Sequence, residues 1–565
     1  MEAKKGGPAR RLVGLEVNWN EVEALYEKIE ATRSDELEAL RLEGPNLPVA
    51  QTVRWAMRAT LGLDELASTF AGSFQDLGGD SLSALSCSLL LEEIYGVEVP
   101  VSVITDPSGG LQQLASFIER ARNGASRQAS FASIHGRDAT RIKAADLTLD
   151  RFLDASLFAH AANLLPPAQD VRTVLVTGAN GYLGRFLCLE WLERMAAKGG
   201  RVICIGRGRD AADARRRILA AFDSGDEELK ARVSLLADSY LDVVPGDLAE
   251  PALGMSQEAW LQLAETVDLI VHPAALVNHV LPYQQLFGPN VAGTAELIGL
   301  ALSRRLKPFV FVSTVAAAVG PAGILDEDAD VREAAPERDL GGNNYAAGYA
   351  NSKWAGEVLL RDAHDRLGLP VAVFRSDMIL AHSRYRGQIN IPDIFTRWLL
   401  SIVQTGIAPQ SFYAGQGSPH YPGLPVDFVA RAITELGSGR GRGFFTYHVL
   451  NPNNDGVSLD RFVEWLAMAG RQIDRIDDYA DWFTRFETAL RSLPEEQRQH
   501  SSLPLLHQLR EPMPAAFGTA VSAARFSAAL QDSGAASCEI RSLSKAFIAK
   551  CLADIVHLQL ITDAS

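Results

Sequence analysis

The segment "GYANSKW" contains Tyr349 and Lys353, and "FVSTVAAAVG" contains Ser313 and Thr314. An i, i+4 spacing puts Tyr349 and Lys353 on one face of a helix. A free tyrosine titrates near pH 10 and a lysine near about 10.4. An ammonium beside the phenol favours phenolate and is expected to lower the Tyr349 pKa, making it a usable proton donor near neutrality. Thr314 could hydrogen-bond the same oxygen. The chemistry these three residues predict is protonation of an oxygen that is gaining negative charge, with Thr314, Tyr349 and Lys353 as the catalytic set.

The stretch "VLVTGANGYLGRFL" indicates what would reduce the carbon that bears this oxygen. Gly178, Gly181 and Gly184 follow an apolar run and open a helix, in a G-x-x-G-x-x-G spacing. Glycine lets the backbone turn tightly and approach a pyrophosphate, and the helix N-terminus then offers free N–H groups and positive dipole. Asn180, Tyr182 and Leu183 lie within the same predicted cofactor turn. NAD-binding folds usually place an acid at the end of the second strand. Here that end reads "CIGRGRD", followed by "ADARRRI". Guanidinium groups suit a 2′-phosphate, so NADP(H) is expected, chiefly through Arg207 and Arg217; Arg215 and Arg216 read equally well as a solvated face. Asp247 and Leu248 are expected to flank the adenine, and Pro273, Ala274 and Ala275 to lie along the cofactor. Ser313 and Ser376, at strand ends, complete the expected contacts, together with Tyr349 and with Lys353 on the nicotinamide ribose.

These residues need a scaffold, and the pattern supplies one. "RTVLVTG", "RVICIG", "LDVVPGD", "VDLIVHPAA", "FVFVST" and "LPVAVFRSD" read as six strands alternating with helices. Continuous Val/Ile runs of this kind indicate a parallel sheet covered on both faces. The Rossmann core is predicted over about 170–376. A smaller, mostly helical and Pro-rich substrate lobe is predicted over about 377–565. Upstream, residues 21–124 carry helical periodicity only, in four segments, and predict a small all-α four-helix bundle. Residues 1–20 read as a tail. Residues 125–146, rich in Ser, Ala and Arg without a period, read as a linker, and the α/β domain is expected over 147–565.

Bulk properties narrow the classes. A net charge of −15, with no long basic run, argues against nucleic acid. No apolar run is long enough to span a membrane, and the first residues lack the apolar core of a signal peptide, so a cytoplasmic protein is expected. The five cysteines are scattered without a C-x-x-C, which predicts neither a disulfide framework nor a zinc site.

A second chemical site lies in the bundle. "FQDLGGDSLSAL" places Ser81 at the mouth of a helix. A nucleophilic serine needs a base, and no histidine occurs in the bundle. A cap role is open to Ser81, but Asp80 could fill it. Leu82 and Leu85 are expected to anchor the helix in the core. L-G-G-D-S-L at this place resembles the attachment site of peptidyl and acyl carrier domains. That resemblance implies a 4′-phosphopantetheine arm on Ser81, installed by a phosphopantetheinyl transferase, with its phosphate at a helix N-terminus.

The glycine turn, the strand-terminal Ser-Thr, Y-x-x-x-K and "NVAGT" (290–294) together resemble the extended short-chain dehydrogenase/reductases over about 172–375. One departure is Arg375-Ser376-Asp377, where extended members often read Arg-Pro-Gly. Asp377 there is either a cap or surface acid, or a group that limits what is reduced. From about residue 20 to 563, "TGIAPQSFY", "GLPVDFV" and "YHVLNPNNDGVSLDRFVEWL" make the chain similar to the C-terminal half of bacterial carboxylic acid reductases. That resemblance implies hydride transfer from NADPH to an acyl thioester on the arm. The resulting hemithioacetal would collapse to aldehyde and thiol. It also implies an upstream adenylation domain, of which this chain shows no phosphate loop. A terminal reductase of a nonribosomal peptide or polyketide assembly line, or an aminoadipate reductase, would share the chemistry. A carrier beside a reductase-like fold that only binds is a further alternative.

Overall fold

A computed structural model describes residues 36–63, 72–106, 109–122, 129–161, 164–320, 323–341, 346–415, 419–438, 443–515, 521–534 and 539–561. The chain divides into two compact units, Met1–Ser126 and Arg127–Ser565.

The first unit is helical. A helical segment over 36–43 precedes α1 (Val49–Leu61), α2 (Ser81–Tyr95), a one-turn helix Val101–Ile104 and α3 (Leu111–Arg122). The expected first helix therefore falls partly outside the described residues, and the turn at 101–104 is additional. Val53, Met57, Phe74, Cys87, Leu91 and Ile118 are buried between the helices. Residues 74–80 build the entry to α2. Gly78 adopts φ +85°, and a Cβ on Gly79 would overlap the Phe74 ring, so both glycines are required by the turn. Asp80 caps α2: its Oδ1 accepts from the N–H groups of Leu82 (3.1 Å) and Ser83 (2.8 Å), and Ser83 Oγ returns a bond from the Asp80 N–H. The cap is thus Asp80, and Ser81 is the first residue of the helix proper. Leu82 corrects the expectation made for it. It is 64% exposed and does not anchor the core, because the buried face of α2 is carried by Ala84, Cys87, Ser88 and Leu91.

The second unit is built on a seven-stranded, all-parallel sheet. Its strands are β1 (Thr173–Thr177), β2 (Arg201–Gly206), β3 (Leu241–Pro245), β4 (Leu269–His272), β5 (Phe309–Thr314), β6 (Val371–Ser376) and β7 (Phe444–Val449), in the order β7-β6-β5-β4-β1-β2-β3. Alternate residues feed two cores, as the period of a strand demands. Leu175, Ile203, Ile270 and Phe311 face one side, and Val174, Val176, Val202, Val271 and Val312 the other. The order reverses between β1 and β4, which is where a doubly wound sheet opens a crevice at its carboxyl ends.

Two boundaries differ from the sequence reading. β7 lies in the region assigned to the substrate lobe, yet "FFTYHV" pairs in register with β6 from Val371↔Phe444 to Ser376↔Val449. The core therefore reaches beyond 376, and the helix Val426–Gly437 packs on the same sheet face as Val310 and Val312. Residues 129–146, expected as linker, form a helix (Phe131–His135), a strand (Arg141–Lys143) that pairs with Glu337–Asp339, and a 3-10 turn (Ala144–Asp146). Phe131, Ile134 and Ile142 are buried in the second unit's core. The polar, non-periodic composition hid three apolar anchors. The lobe itself packs around Phe395, Trp398, Phe462, Trp482 and Ile548.

Phe131 is 4% exposed and meets Tyr283 and Phe287 edge-on, with ring centroids 6.0 Å and 6.2 Å away. Phe131→Ala should cost about 3–5 kcal/mol in denaturant unfolding of the second unit. A true linker would show no loss.

Candidate active site

The glycine turn follows β1. Gly178 sits at φ +62°, where a Cβ would lie 2.8 Å from Ala274 Cα, so the turn and the segment after β4 are in contact. The Gly181 N–H donates to the Gly178 carbonyl at 2.9 Å. A Cβ on Gly184 would overlap that same carbonyl, so helix α4 (Tyr182–Lys198) can enter the turn only with glycine there. Gly181 caps α4 without a side-chain acceptor, and Asn180 and Gly181 are exposed, so the first-turn N–H groups have no side-chain cap. Leu183 is buried. The Tyr182 hydroxyl donates to the carbonyls of Leu380 (2.9 Å) and Gln388 (3.1 Å), which ties the turn to the segment after β6.

At the end of β2, Arg207 is exposed and makes no ion pair among the described residues. Arg217 lies on helix α5 (Ala211–Ala220) with its Nε 3.5 Å from Asp213. Asp213, 4% exposed, also gathers Arg209 and Arg216. The Arg209 N–H, followed by these guanidinium groups, holds its carboxyl below the usual range. Asp213 organises the basic cluster and had no signal in the sequence beyond its place before three arginines. Asp247 donates its N–H to the Leu253 carbonyl and accepts from the Ala249 N–H. Leu248 abuts Gly293, and Pro273, Ala274 and Ala275 are half-buried beside the turn.

The helix α6 (Ala347–Leu367) carries Tyr349 and Lys353. It lies close to β5 because a Cβ on Gly356 would come within 2.7 Å of the Phe311 ring. Lys353 is 2% exposed, with Nζ 4.7 Å from the Phe311 ring centroid. The His279 ring meets Tyr349 edge-on at 5.8 Å. Asn290, in a π-helical stretch Gly288–Ala292, joins this helix to the loop after β4. Its Oδ1 accepts from the Leu276 N–H (2.7 Å), its Nδ2 donates to Ser352 Oγ (3.0 Å), and Ser352 Oγ donates to the Tyr349 carbonyl (2.8 Å). "NVAGT" carried that signal, but not the contact it makes.

The electrostatics correct one expectation. Burial raises the Tyr349 phenol above its usual value and pulls Lys353 down to about 7, opposed by the carboxylate of Glu357. The loss of water around both groups outweighs any mutual attraction of phenolate and ammonium. His272, behind them on β4, lies between Thr177 Oγ1 (2.7 Å) and Thr294 Oγ1 (3.1 Å). Burial, then the charge of Lys353, holds it well below its ordinary value.

Thr314 and Ser376 are register partners at the ends of β5 and β6. Thr314 Oγ1 is partly exposed and accepts from the Ala316 N–H at 3.3 Å. The Ser376 hydroxyl is buried, with no partner among the described residues. An unpartnered buried hydroxyl at a strand end fits a site completed by a bound group. The Ser313 side chain turns the other way, because strands alternate, and donates to Glu357 Oε1 at 2.5 Å. Any part of Ser313 in cofactor binding falls to its backbone. The Asp377 N–H donates to the Val449 carbonyl (3.3 Å), and burial pushes its carboxyl up to about 6. A cavity of about 560 Å³ lined by Lys143, Thr148, Arg332 and Asp362 contains none of these residues. No helix among the described residues is long and apolar enough to cross a membrane, and no cluster there could hold a metal.

Similar proteins match both units. The family described as "Phosphopantetheine attachment site" matches residues 51–118, and "Male sterility protein", an NAD-binding family, matches residues 176–433. A carboxylic acid reductase of Segniliparus rugosus is 51% identical over 547 residues, 96% of this chain and 46% of that protein. One of Mycobacterium tuberculosis is 51% identical over 553 residues, 96% and 47%. The chain spans about half the length of these curated relatives. The crystal structure of the reductase domain of a nonribosomal peptide synthetase from Mycobacterium tuberculosis superposes with a TM-score of 0.69 at 48% identity, over 75% of this chain and 100% of that one. With a carrier unit preceding a reductase unit that matches this solved domain over its full length, the chain belongs to the carrier–reductase family of the carboxylic acid reductases and the nonribosomal peptide synthetase reductase domains.

Proposed function

We propose that the chain reduces an acyl group, carried as a phosphopantetheine thioester on Ser81, to an aldehyde with NADPH, as the reductive-release half of a carboxylic acid reductase. The observation that carries this reading is the presence in one chain of a serine opening an Asp80-capped helix and of a Tyr–Lys helix tied by Asn290 to the loop beside a glycine turn. Bound NADPH would supply the hydride. Gly178, Gly181 and Gly184 leave room for its pyrophosphate, and Asn180 and Leu183 border the same turn. Arg207 and Arg217 offer guanidinium groups to a 2′-phosphate, which favours NADPH over NADH. Asp247, Leu248 and Pro273–Ala275 line the path between them, and Ser376 offers a hydroxyl at its inner end.

Thr314 and Tyr349 direct hydroxyls to the thioester oxygen as it gains charge, and Tyr349 gives it a proton. Lys353 supports Tyr349 and the ribose. As the carbon–sulfur bond breaks, the proton on the oxygen passes to the departing sulfur, so the carbon leaves as aldehyde and the sulfur as thiol. Ser81 breaks no bond: it holds the arm, and tethering raises the local substrate concentration to about millimolar. The arm needs a phosphopantetheinyl transferase. The acyl group needs an ATP-consuming adenylation domain, which we place in the part of the longer relatives that this chain does not span. The 48% identity to a peptide synthetase reductase domain favours a second reading, in which the acyl group is peptidyl; a panel of fatty, aromatic and peptidyl thioesters separates the two.

The direct test is to load the chain with transferase and an acyl-coenzyme A and follow NADPH consumption and aldehyde. Ser81→Ala should abolish reduction of the tethered acyl group and leave reduction of a free pantetheine thioester intact. Tyr349→Phe should lower kcat by about 10²–10⁴-fold with NADPH binding retained; full activity in that variant would refute the assignment. Replacing Arg207 and Arg217 by Ala should raise KM for NADPH by roughly tenfold to a hundredfold and leave NADH unaffected. For Asp377 we propose that its carboxyl limits reduction beyond the aldehyde. Asp377→Gly should then raise the alcohol-to-aldehyde ratio, and an unchanged ratio would sink the idea.

A further inference from the structure

Behind the Tyr–Lys pair lies a fully buried ionic cluster that none of the steps above uses. Helix α6 carries Tyr349, Lys353 and Glu357 at i, i+4 and i+8, one face of one helix. Glu357 is 1% exposed, and both of its oxygens are engaged. Oε1 accepts from Ser313 Oγ (2.5 Å) and Arg375 Nε (3.1 Å), and Oε2 accepts from the same Nε (3.1 Å) and from the terminal nitrogen of Arg375 (2.7 Å). Arg375, 0% exposed, also donates to His448 Nε2 at 3.1 Å, while His448 Nδ1 donates to the Ser522 carbonyl at 2.7 Å. That pair of bonds fixes His448 as the neutral tautomer.

The register shows what the cluster is attached to. Ser313, Arg375 and His448 are neighbours across β5, β6 and β7, and the next residues on those strands are Thr314, Ser376 and Val449, also paired with one another. Glu357 therefore grips β5 and β6 one residue below the ends that carry Thr314 and Ser376. It does so from the helix that carries Tyr349 and Lys353. A buried ion pair is a weak source of stability, since apolar side chains of equal volume often serve as well. What this one supplies is a fixed geometry and one negative charge a helical turn from Lys353.

We infer that Glu357 is a positioning residue of the reductase site: its carboxylate clamps Ser313 and Arg375, so that Thr314 and Ser376 stay aligned with the Tyr349–Lys353 turn, and its charge keeps Lys353 able to hold a proton. The inference rests on the reaction proposed above. The groups facing Lys353 are Tyr349 and Glu357 on its own helix, His272 from β4 and, through Glu357, Arg375 from β6 and Arg338 from the strand Glu337–Asp339. Of these, Glu357 alone brings a negative charge. Its removal favours the neutral amine, so Lys353 loses its proton at lower pH.

Two readouts on the full 565-residue chain test this. The first titrates ¹³C-labelled lysine by NMR, with the Lys353 signal assigned by its loss in Lys353→Arg; it needs neither cofactor nor turnover. In Glu357→Gln the Lys353 titration should fall by about one pH unit, and Glu357→Asp should restore it. The second is the pH profile of NADPH oxidation with a benzoyl pantetheine thioester. Its alkaline limb should move to lower pH in Glu357→Gln by the same amount. Ser313→Ala keeps every charge and removes only the clamp on β5; it should lower kcat roughly tenfold with the limb unmoved. A Glu357→Gln protein that melts lower but titrates and profiles like the parent would overturn the inference, as would full kcat in Ser313→Ala. Should Glu357→Gln fail to fold, Ser313→Ala decides. Should the parent oxidise no NADPH with this thioester, the proposed reaction fails, while the lysine titration still decides the role of Glu357.

Discussion

The close packing of one helix against one strand governs this reductase unit. Helix α6 buries twelve of its residues, and it can approach β5 only because Gly356 faces the Phe311 ring and Gly348 faces the backbone of Leu281–Tyr283. The arrangement of the candidate site follows from that approach. It brings Tyr349 beside His279, puts Lys353 over Phe311, and sets Glu357 against Ser313. It also removes water from the phenol and the amine, which moves the two titrations apart and leaves Lys353 near neutrality.

Much of this was legible in the chain before any coordinates. Six of the seven strands announced themselves as Val/Ile runs, because a strand buried on both faces has no polar alternation to blur it. The glycine turn was legible because only glycine satisfies its backbone: one residue at positive φ, one with an open helix start, one pressed against a carbonyl. What escaped notice escaped for local reasons. β7 reads "FFTYHV", an aromatic run without the Val/Ile signature, after a long Pro-rich interval. Residues 129–146 are mostly polar and hold on through Phe131, Ile134 and Ile142, too few to make a period. The spacing of Tyr349 and Lys353 shows which charges are near, whereas the burial that raises the phenol depends on partners far along the chain.

Contacts distant in sequence account for the rest. Asn290 meets Leu276 and Ser352, Arg375 meets Glu357 and His448, and Glu327 accepts from the N–H groups of His448, Arg525 and Phe526. None of these pairings has a periodicity, and they join strands, helices and loops that lie far apart in the chain. They are the places where buried polar groups had to be paired one by one, and they concentrate around the carboxyl ends of the strands.

In the carrier unit, Asp80 closes the first turn of α2, and the residue after it is the proposed point of attachment. Division of labour between neighbours has a consequence for the traffic of the arm. A helix whose end is sealed by the adjacent carboxylate does not lose its seal when the serine is esterified. A phosphodiester set there also meets the favourable end of the helix dipole. A group attached at that position could then come and go without the helix fraying.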